Sequence, residues 1–273
     1  MKEMSLDFTS RPALIAYVTC GDPNLATTRQ VVLAAAEAGA EVIELGVPFS
    51  DPVADGPVIQ RASERALRNR VSLQDVIELA ADIRTTTEAG LIIFSYLNPV
   101  LRMGMAKFAA RAAAAGVNGV LLTDLPVEEA GEYLRQMRKH KLATVFLAAP
   151  TSTDQRLERI AGASSGFVYV VSRTGVTGMR KELPEDAQQV VAKIRKLTTL
   201  PIAVGFGISA PEQFSAVGQF AEAAVVGSAI VREIETNPGR EAEAVAEFIK
   251  RLSPRRHTPP ARARSPVGRA GGE

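Results

Sequence analysis

Eight short apolar runs, each closed by a turn-forming residue and followed by a helical pattern, divide almost the whole chain. The runs are Ala13–Thr19, Glu41–Val47, Leu91–Tyr96, Gly119–Asp124, Ala143–Ala149, Gly166–Ser172, Pro201–Phe206 and Ala221–Val226. Gly, Pro, Asp and Ser bound them, as they bound strands generally. The helical stretches are Thr27–Ala38, Val58–Arg68, Ser72–Thr86, Ala106–Ala115, Val127–His140, Asp154–Ala161, Pro184–Leu197, Pro211–Val217 and Glu241–Leu252. Gly39 supplies a C-cap after the first, and Ser72 with Asp75 caps the start of the third. Strands that read as unbroken apolar runs are buried on both faces, as in a parallel sheet covered by helices. Eight such units in roughly 250 residues predict an α/β chain forming one (β/α)8 TIM barrel with short extra helices. An open doubly wound sheet is the alternative, but eight even units without interruption favour closure. Hydrophobic residues make up 46% and aromatics only 5%, so the core is aliphatic. Met1–Thr9 is expected to close the barrel bottom as a short helix.

The barrel is expected to occupy residues 1–252. The remainder, Ser253–Glu273, carries Arg255, Arg256, Arg262, Arg264 and Arg269 among four prolines, with Glu273 the lone acid. It has almost nothing apolar to bury and is expected to be a disordered, solvated extension. The net charge of +2 therefore resides in the tail; the body is slightly acidic and carries no argument for nucleic acid. A single cysteine, Cys20, excludes an internal disulfide and suits a reducing cytoplasm. No apolar run is long enough to span a membrane, and the amino terminus is not basic-then-apolar, so neither a membrane span nor a secretion signal is expected.

In such a barrel the chemistry lies where strands end and βα loops begin. The second strand and its loop read E-V-I-E-L-G-V-P-F-S-D-P-V-A-D-G-P, from Glu41 to Pro57. A carboxylate inside an apolar strand is costly unless something uses or satisfies it, so Glu44 is a candidate catalytic group. A core acid hydrogen-bonded to backbone is the plainer reading. Asp55 in the loop joins it, although Asp51 and Asp55 are also ordinary turn formers. Asp22, Asp124 and Tyr169 stand at or near other strand ends, and Ser172, Arg173 and Thr174 follow the sixth. Neither histidine, His140 or His257, ends a strand, and with one cysteine there is no zinc set. No lysine ends a strand either, which argues against a Schiff base. If the barrel breaks a carbon–carbon bond, the substrate must hold the charge and carboxylates must move the protons. A second signal lies in S-R-T-G-V-T-G-M (172–179), V-G-F-G-I-S (204–209) and V-G-S-A-I (226–230). Glycines after three successive strands, with a helix opening at Gly227-Ser228, form the usual phosphate site of these barrels.

These motifs together resemble the tryptophan synthase alpha-subunit family. The likeness runs from about Leu6 to Leu252 through Y-V-T-C-G-D-P (17–23), E-L-G-V-P-F-S-D-P-V-A-D-G-P (44–57), D-L-P-V-E-E (124–129), S-R-T-G-V-T-G (172–178), G-F-G-I-S (205–209) and V-G-S-A-I-V (226–231). The resemblance implies a cofactor-free lyase that cleaves indole-3-glycerol phosphate to indole and glyceraldehyde 3-phosphate. It implies Glu44 as general acid/base and Asp55 as the partner of the indole N–H. Tyr169 would position Glu44, Phe94 would wall the indole pocket, and Gly178, Gly207, Gly227 and Ser228 would cradle the phosphate. Arg173, Thr177 and Asp124 match the family's closing-loop network. Pro48, Asp51, Asn98 and Pro126 match positions near a beta subunit, which in an α2β2 complex would carry pyridoxal phosphate. The Arg/Pro-rich tail is outside the family pattern. A free-standing indole producer, a silent barrel that only activates a partner, and an unrelated phosphate-binding isomerase are the competing readings.

Removing residues 253–273 is expected to leave the thermal unfolding midpoint unchanged. A clear drop on calorimetry would show that the extension docks on the body.

Overall fold

The structure is a computed structural model that describes residues 6, 8–172 and 185–253. Its eight strands all pair in parallel and in chain order, and the last closes on the first. They are β1 (Ala13–Thr19), β2 (Val42–Gly46), β3 (Gly90–Ser95), β4 (Gly119–Leu122), β5 (Ala143–Ala148), β6 (Val168–Val171), β7 (Ile202–Gly205) and β8 (Ala223–Val226). The predicted barrel is therefore the observed one. The helices are α1 (Leu25–Glu37), α2 (Pro57–Arg68), α3 (Leu73–Arg84), α4 (Leu97–Met103), α5 (Met105–Ala114), α6 (Gly131–Lys139), α7 (Asp154–Ala163), α8 (Glu185–Ile194), α9 (Pro211–Val217), α10 (Ser228–Thr236) and α11 (Glu241–Leu252).

Local chemistry explains most boundaries. The Asn24 side chain accepts from the Thr27 N–H and starts α1. Ser72 and Asp75 form the expected capping box on α3, with the Asp75 carboxylate accepting from the Ser72 N–H at 2.8 Å. Pro57 opens α2 at the first turn, where no N–H is needed.

Two expectations need correction. The sequence pattern predicts no helix over residues 97–103, where Asn98 looks like a turn residue, yet they form α4. Proline is tolerated in a first turn, and Asp124, at the end of the next strand unit, accepts from the Leu97 N–H at 2.7 Å. That cap comes from 27 residues away, so no local pattern announces it. The stretch Val127–His140 is not one helix. A 3-10 turn at Val127–Glu129 precedes α6, which begins at Gly131.

Alternation along the strands sorts the side chains into two layers. Ile43 and Leu45 of β2 pack outward with the helices, as do Leu14, Ala16 and Val18 of β1. Val42, Ile15, Ile92, Leu121, Val145 and Phe167 fill the barrel interior. Most of the helix predicted over Met1–Thr9 lies outside the described residues, as does the tail beyond Ser253. Leu6 and Phe8 nonetheless join the interior cluster, with the Phe8 and Phe167 rings 5.9 Å apart. They seal the end of the barrel opposite the site.

Phe167→Ala is expected to cost about 3–5 kcal/mol of stability, because its side chain is fully buried in that interior layer. Denaturant unfolding monitored by circular dichroism would measure it.

Candidate active site

The strand pleat places Glu44 on the inner face of β2, in register between Tyr17 of β1 and Ile92 of β3. Glu44 is 1% exposed, and neither carboxylate oxygen accepts a hydrogen bond from a described protein group. The reading of a core acid tied to backbone is thereby excluded for the described residues. Burial pushes the Glu44 carboxyl up to about 8, so it is protonated at neutral pH. A buried acid held without a partner is an expense that function, not stability, accounts for.

Two tyrosines flank it. Glu44 acts electrostatically on both Tyr17 and Tyr169, whose phenols burial holds neutral. Each ring occupies space that a glycine leaves open on the next strand. A Cβ on Gly46 would collide with the Tyr17 hydroxyl, and one on Gly205 would stand 2.6 Å from that of Tyr169. The Tyr17 ring meets Phe94 edge to face at 5.1 Å, and Phe94 lines the same interior.

Asp55 lies in the loop between β2 and α2. The loop is braced by the Asp55 N–H donating to the Pro52 carbonyl (3.0 Å) and by Gln60 Nε2 donating to the Asp55 carbonyl (2.8 Å). Partial burial raises the Asp55 carboxyl to about 6, and a hydrogen bond from the Tyr96 hydroxyl opposes the rise. The Tyr96 oxygen in turn accepts from the Ala54 N–H at 3.0 Å, and its ring stacks on Phe49 at 4.9 Å. Sequence reasoning passed over Tyr96. Its one signal was a tyrosine at a strand end, in S-Y-L-N-P. Tyr17 carries no sequence signal beyond its place in Y-V-T-C-G-D-P.

Beyond β8, Gly227 is the N-cap of α10 and Ser228 its first residue. The opening N–H groups of that helix have no intrahelical partner and, among the described residues, no side-chain cap, which suits an anion. An added Cβ on Gly227 would lie 3.6 Å from Tyr17 Cβ, so this end adjoins the same interior. Gly207, after β7, takes φ +83, a conformation that favours glycine. Arg173, Thr177 and Gly178 lie outside the described residues. Asp124 is exposed at the end of the fourth unit, where it caps α4. Asp51 is exposed on the loop after β2 and Asn98 in the first turn of α4, Pro126 is half-buried, and Pro48 is buried. Val53 and Leu101, on the same two connections, are large apolar side chains exposed to solvent. Asp22 does not join the carboxyl pair; its side chain is committed to Arg65.

A family model described as the tryptophan synthase alpha chain matches residues 4–258. The chain is 57% identical over 228 residues to a tryptophan synthase alpha chain of Solibacter usitatus, covering 84% of this chain and 85% of that one. It is 46% identical over 241 residues to that of Neisseria meningitidis, covering 88% and 92%. Among solved structures it is similar to a variant tryptophan synthase alpha-subunit from the hyperthermophile Pyrococcus furiosus. The TM-score there is 0.83 at 37% identity, covering 89% of this chain and 98% of that one. A tryptophan synthase complex from the same organism contains a chain matching at TM-score 0.82 and 37% identity, with the same coverage.

The raised Glu44 carboxyl has a stability signature. Below the ordinary carboxyl range Glu44 is protonated folded or unfolded and adds no pH-dependent cost. As pH rises toward about 8 the unfolded chain ionises while the folded one does not, so stability is progressively lost. Glu44→Gln is therefore expected to match the wild type near pH 4 and to be more stable by a few kcal/mol near pH 8. Paired melting curves across that range would measure the gap.

Proposed function

The chain belongs to the tryptophan synthase alpha chain family, and on that premise we propose which of its residues carry the family's reaction. That reaction is a carbon–carbon lyase step of tryptophan biosynthesis, the cleavage of indole-3-glycerol phosphate to indole and glyceraldehyde 3-phosphate. The observation that carries the assignment is Glu44, a protonated carboxyl buried in the barrel interior with no hydrogen-bond partner among the described residues.

Glu44 gives its proton to indole C3, and the ring becomes a cation with its charge delocalised to N1. Asp55, ionised above about 6, accepts from the N1–H and stabilises that cation. The Glu44 carboxylate then takes the proton of the glycerol hydroxyl on the carbon next to the ring. The aldehyde forms, the carbon–carbon bond breaks, and its electron pair restores the neutral indole. The indole is thus its own electron sink, which suits a site built from two carboxyl groups without lysine. Tyr169 holds Glu44 in place, and Phe94 walls the indole pocket. Gly207, Gly227 and Ser228 present N–H groups to the phosphate, the last two at the positive end of α10. Gly178 would complete the cradle, and Arg173 and Thr177, with Asp124, would act as the loop closes over the substrate to exclude water.

No cofactor is needed for these steps. A beta subunit is the partner, in an α2β2 assembly whose pyridoxal phosphate belongs to the beta chain, and the complex works in the cytoplasm. Asp51, Asn98 and Pro126, with the buried Pro48, are placed for that contact on the rim that carries the site. A partner bound there would bias the loop that bears Asp55.

Release of glyceraldehyde 3-phosphate from indole-3-glycerol phosphate, with and without a beta subunit, tests the reading. Slow turnover that rises strongly with the beta chain is expected. Fast turnover indifferent to it would favour a free-standing indole producer, and no turnover would favour a silent activator. Glu44→Gln and Asp55→Asn are each expected to lower the rate by ~100-fold or more. The pH profile should be bell-shaped, rising as Asp55 ionises near 6 and falling as Glu44 loses its proton near 8.

A further inference from the structure

Asp22, just past β1, is a buried carboxylate that the chemistry above does not use. Its side chain is 1% exposed and takes Arg65 of α2 bidentately, with Nε to Oδ1 at 2.7 Å and Nη2 to Oδ2 at 2.8 Å. The remaining nitrogen of Arg65, Nη1, donates to Glu235 Oε1 of α10 at 2.8 Å. Arg61, one turn earlier on α2, grips the same carboxylate with Nε at 2.9 Å and Nη2 at 2.8 Å. The hydrogen bonds from Arg61, joined by those from Arg65, hold Glu235 down to about 2, so the link stays charged at any working pH. Four side chains thus tie the first βα loop, α2 and α10 together.

The two helices so joined are the ones that begin at the two ends of the site. Helix α2 starts two residues after Asp55, and α10 starts at Gly227-Ser228. Near those starts, Val231 of α10 packs with Val58 and Ala62 of α2 and with Tyr17. An apolar contact is non-directional, and alone it leaves two helices free to roll and slide. Glu235 lies one turn beyond Val231, and Arg61 and Arg65 lie on the α2 face that meets it. A second, directional contact at that point fixes the angle between the helices, and with it the distance between their starts.

We propose that the Asp22–Arg65–Glu235–Arg61 network is a positioning device that sets the span between Asp55 and the phosphate cradle, and so the length of ligand the site accepts. The proposal rests on the placement of indole and phosphate given above. Its signature is a linkage effect. A molecule that fills both subsites gains affinity over its separate halves only if their spacing matches the molecule.

Glu235→Gln is the test variant, because it removes the bridging charge and leaves the buried Asp22–Arg65 pair intact. Titration calorimetry would measure indole, inorganic phosphate and 3-(indol-3-yl)propyl phosphate, an uncleavable ligand that spans the site. In the variant, indole and phosphate are expected to bind within about twofold of wild type, while the spanning ligand weakens about tenfold. KM for the substrate should rise by a similar factor and kcat should fall by less. Arg61→Met, which removes the outer arm alone, should show a smaller loss of the same kind. Unchanged binding of the spanning ligand in both variants would overturn the proposal. So would an equal loss for the separate fragments, which is what damage to the subsites themselves would produce. If the wild type gained nothing from linking the fragments, the placement of the subsites would fall first, and this proposal with it.

Discussion

The structure turns on one unfavourable interaction, the burial of Glu44 without a hydrogen-bond donor among the described residues. Water would stabilise the carboxylate, and the interior does not, so the group keeps its proton to about pH 8. The rest of the inner layer maintains that condition. Ile92 stands beside Glu44 on the neighbouring strand, and Ile15, Val42 and Phe167 fill the interior toward the sealed end. A proton donor to a carbon atom needs a carboxyl that is reluctant to ionise, and a dry barrel supplies one without any specific partner.

Asp55 shows a milder form of the same treatment, tempered by a hydrogen bond. It sits in a loop, only partly buried, and receives a hydrogen bond from Tyr96 that favours its ionised form. Two carboxyls on one βα unit are thereby driven apart in acidity by their surroundings. Such a separation lets one act as the acid while the other stabilises positive charge. Tyr96 also joins the loop to the start of α4, the helix carrying Asn98 and the exposed Leu101. The loop that bears Asp55 and the exposed rim therefore share a physical connection.

Packing in the upper barrel depends on missing side chains as much as on those present. Gly46 and Gly205 leave the space that the Tyr17 and Tyr169 rings occupy. Each tyrosine is paired across the sheet with a residue of the strand whose glycine admits it. Tyr17 pairs with Glu44, two residues before Gly46, and Tyr169 with Ala203, two before Gly205. The large ring and the small residue are thus successive inward positions of adjacent strands, which is how layers of a closed barrel interdigitate.

The sequence by itself determined the eight-unit order, and it singled out Glu44 and Asp55 as candidates. Those properties depend on short-range periodicity and on residues whose chemistry is conspicuous in an apolar setting. The capping box at Ser72 and Asp75 was readable for the same reason, because its hydrogen bonds close within a few residues. Only the tertiary structure decided the rest. Helix α4 exists because Asp124 reaches back to its first N–H. Tyr96 became part of the site because the preceding loop folds over its hydroxyl. Asp22 is tied to Arg65, which meets it from 43 residues away. Each of these outcomes depends on which groups closure of the barrel brings within hydrogen-bond reach, and no local pattern carries that information.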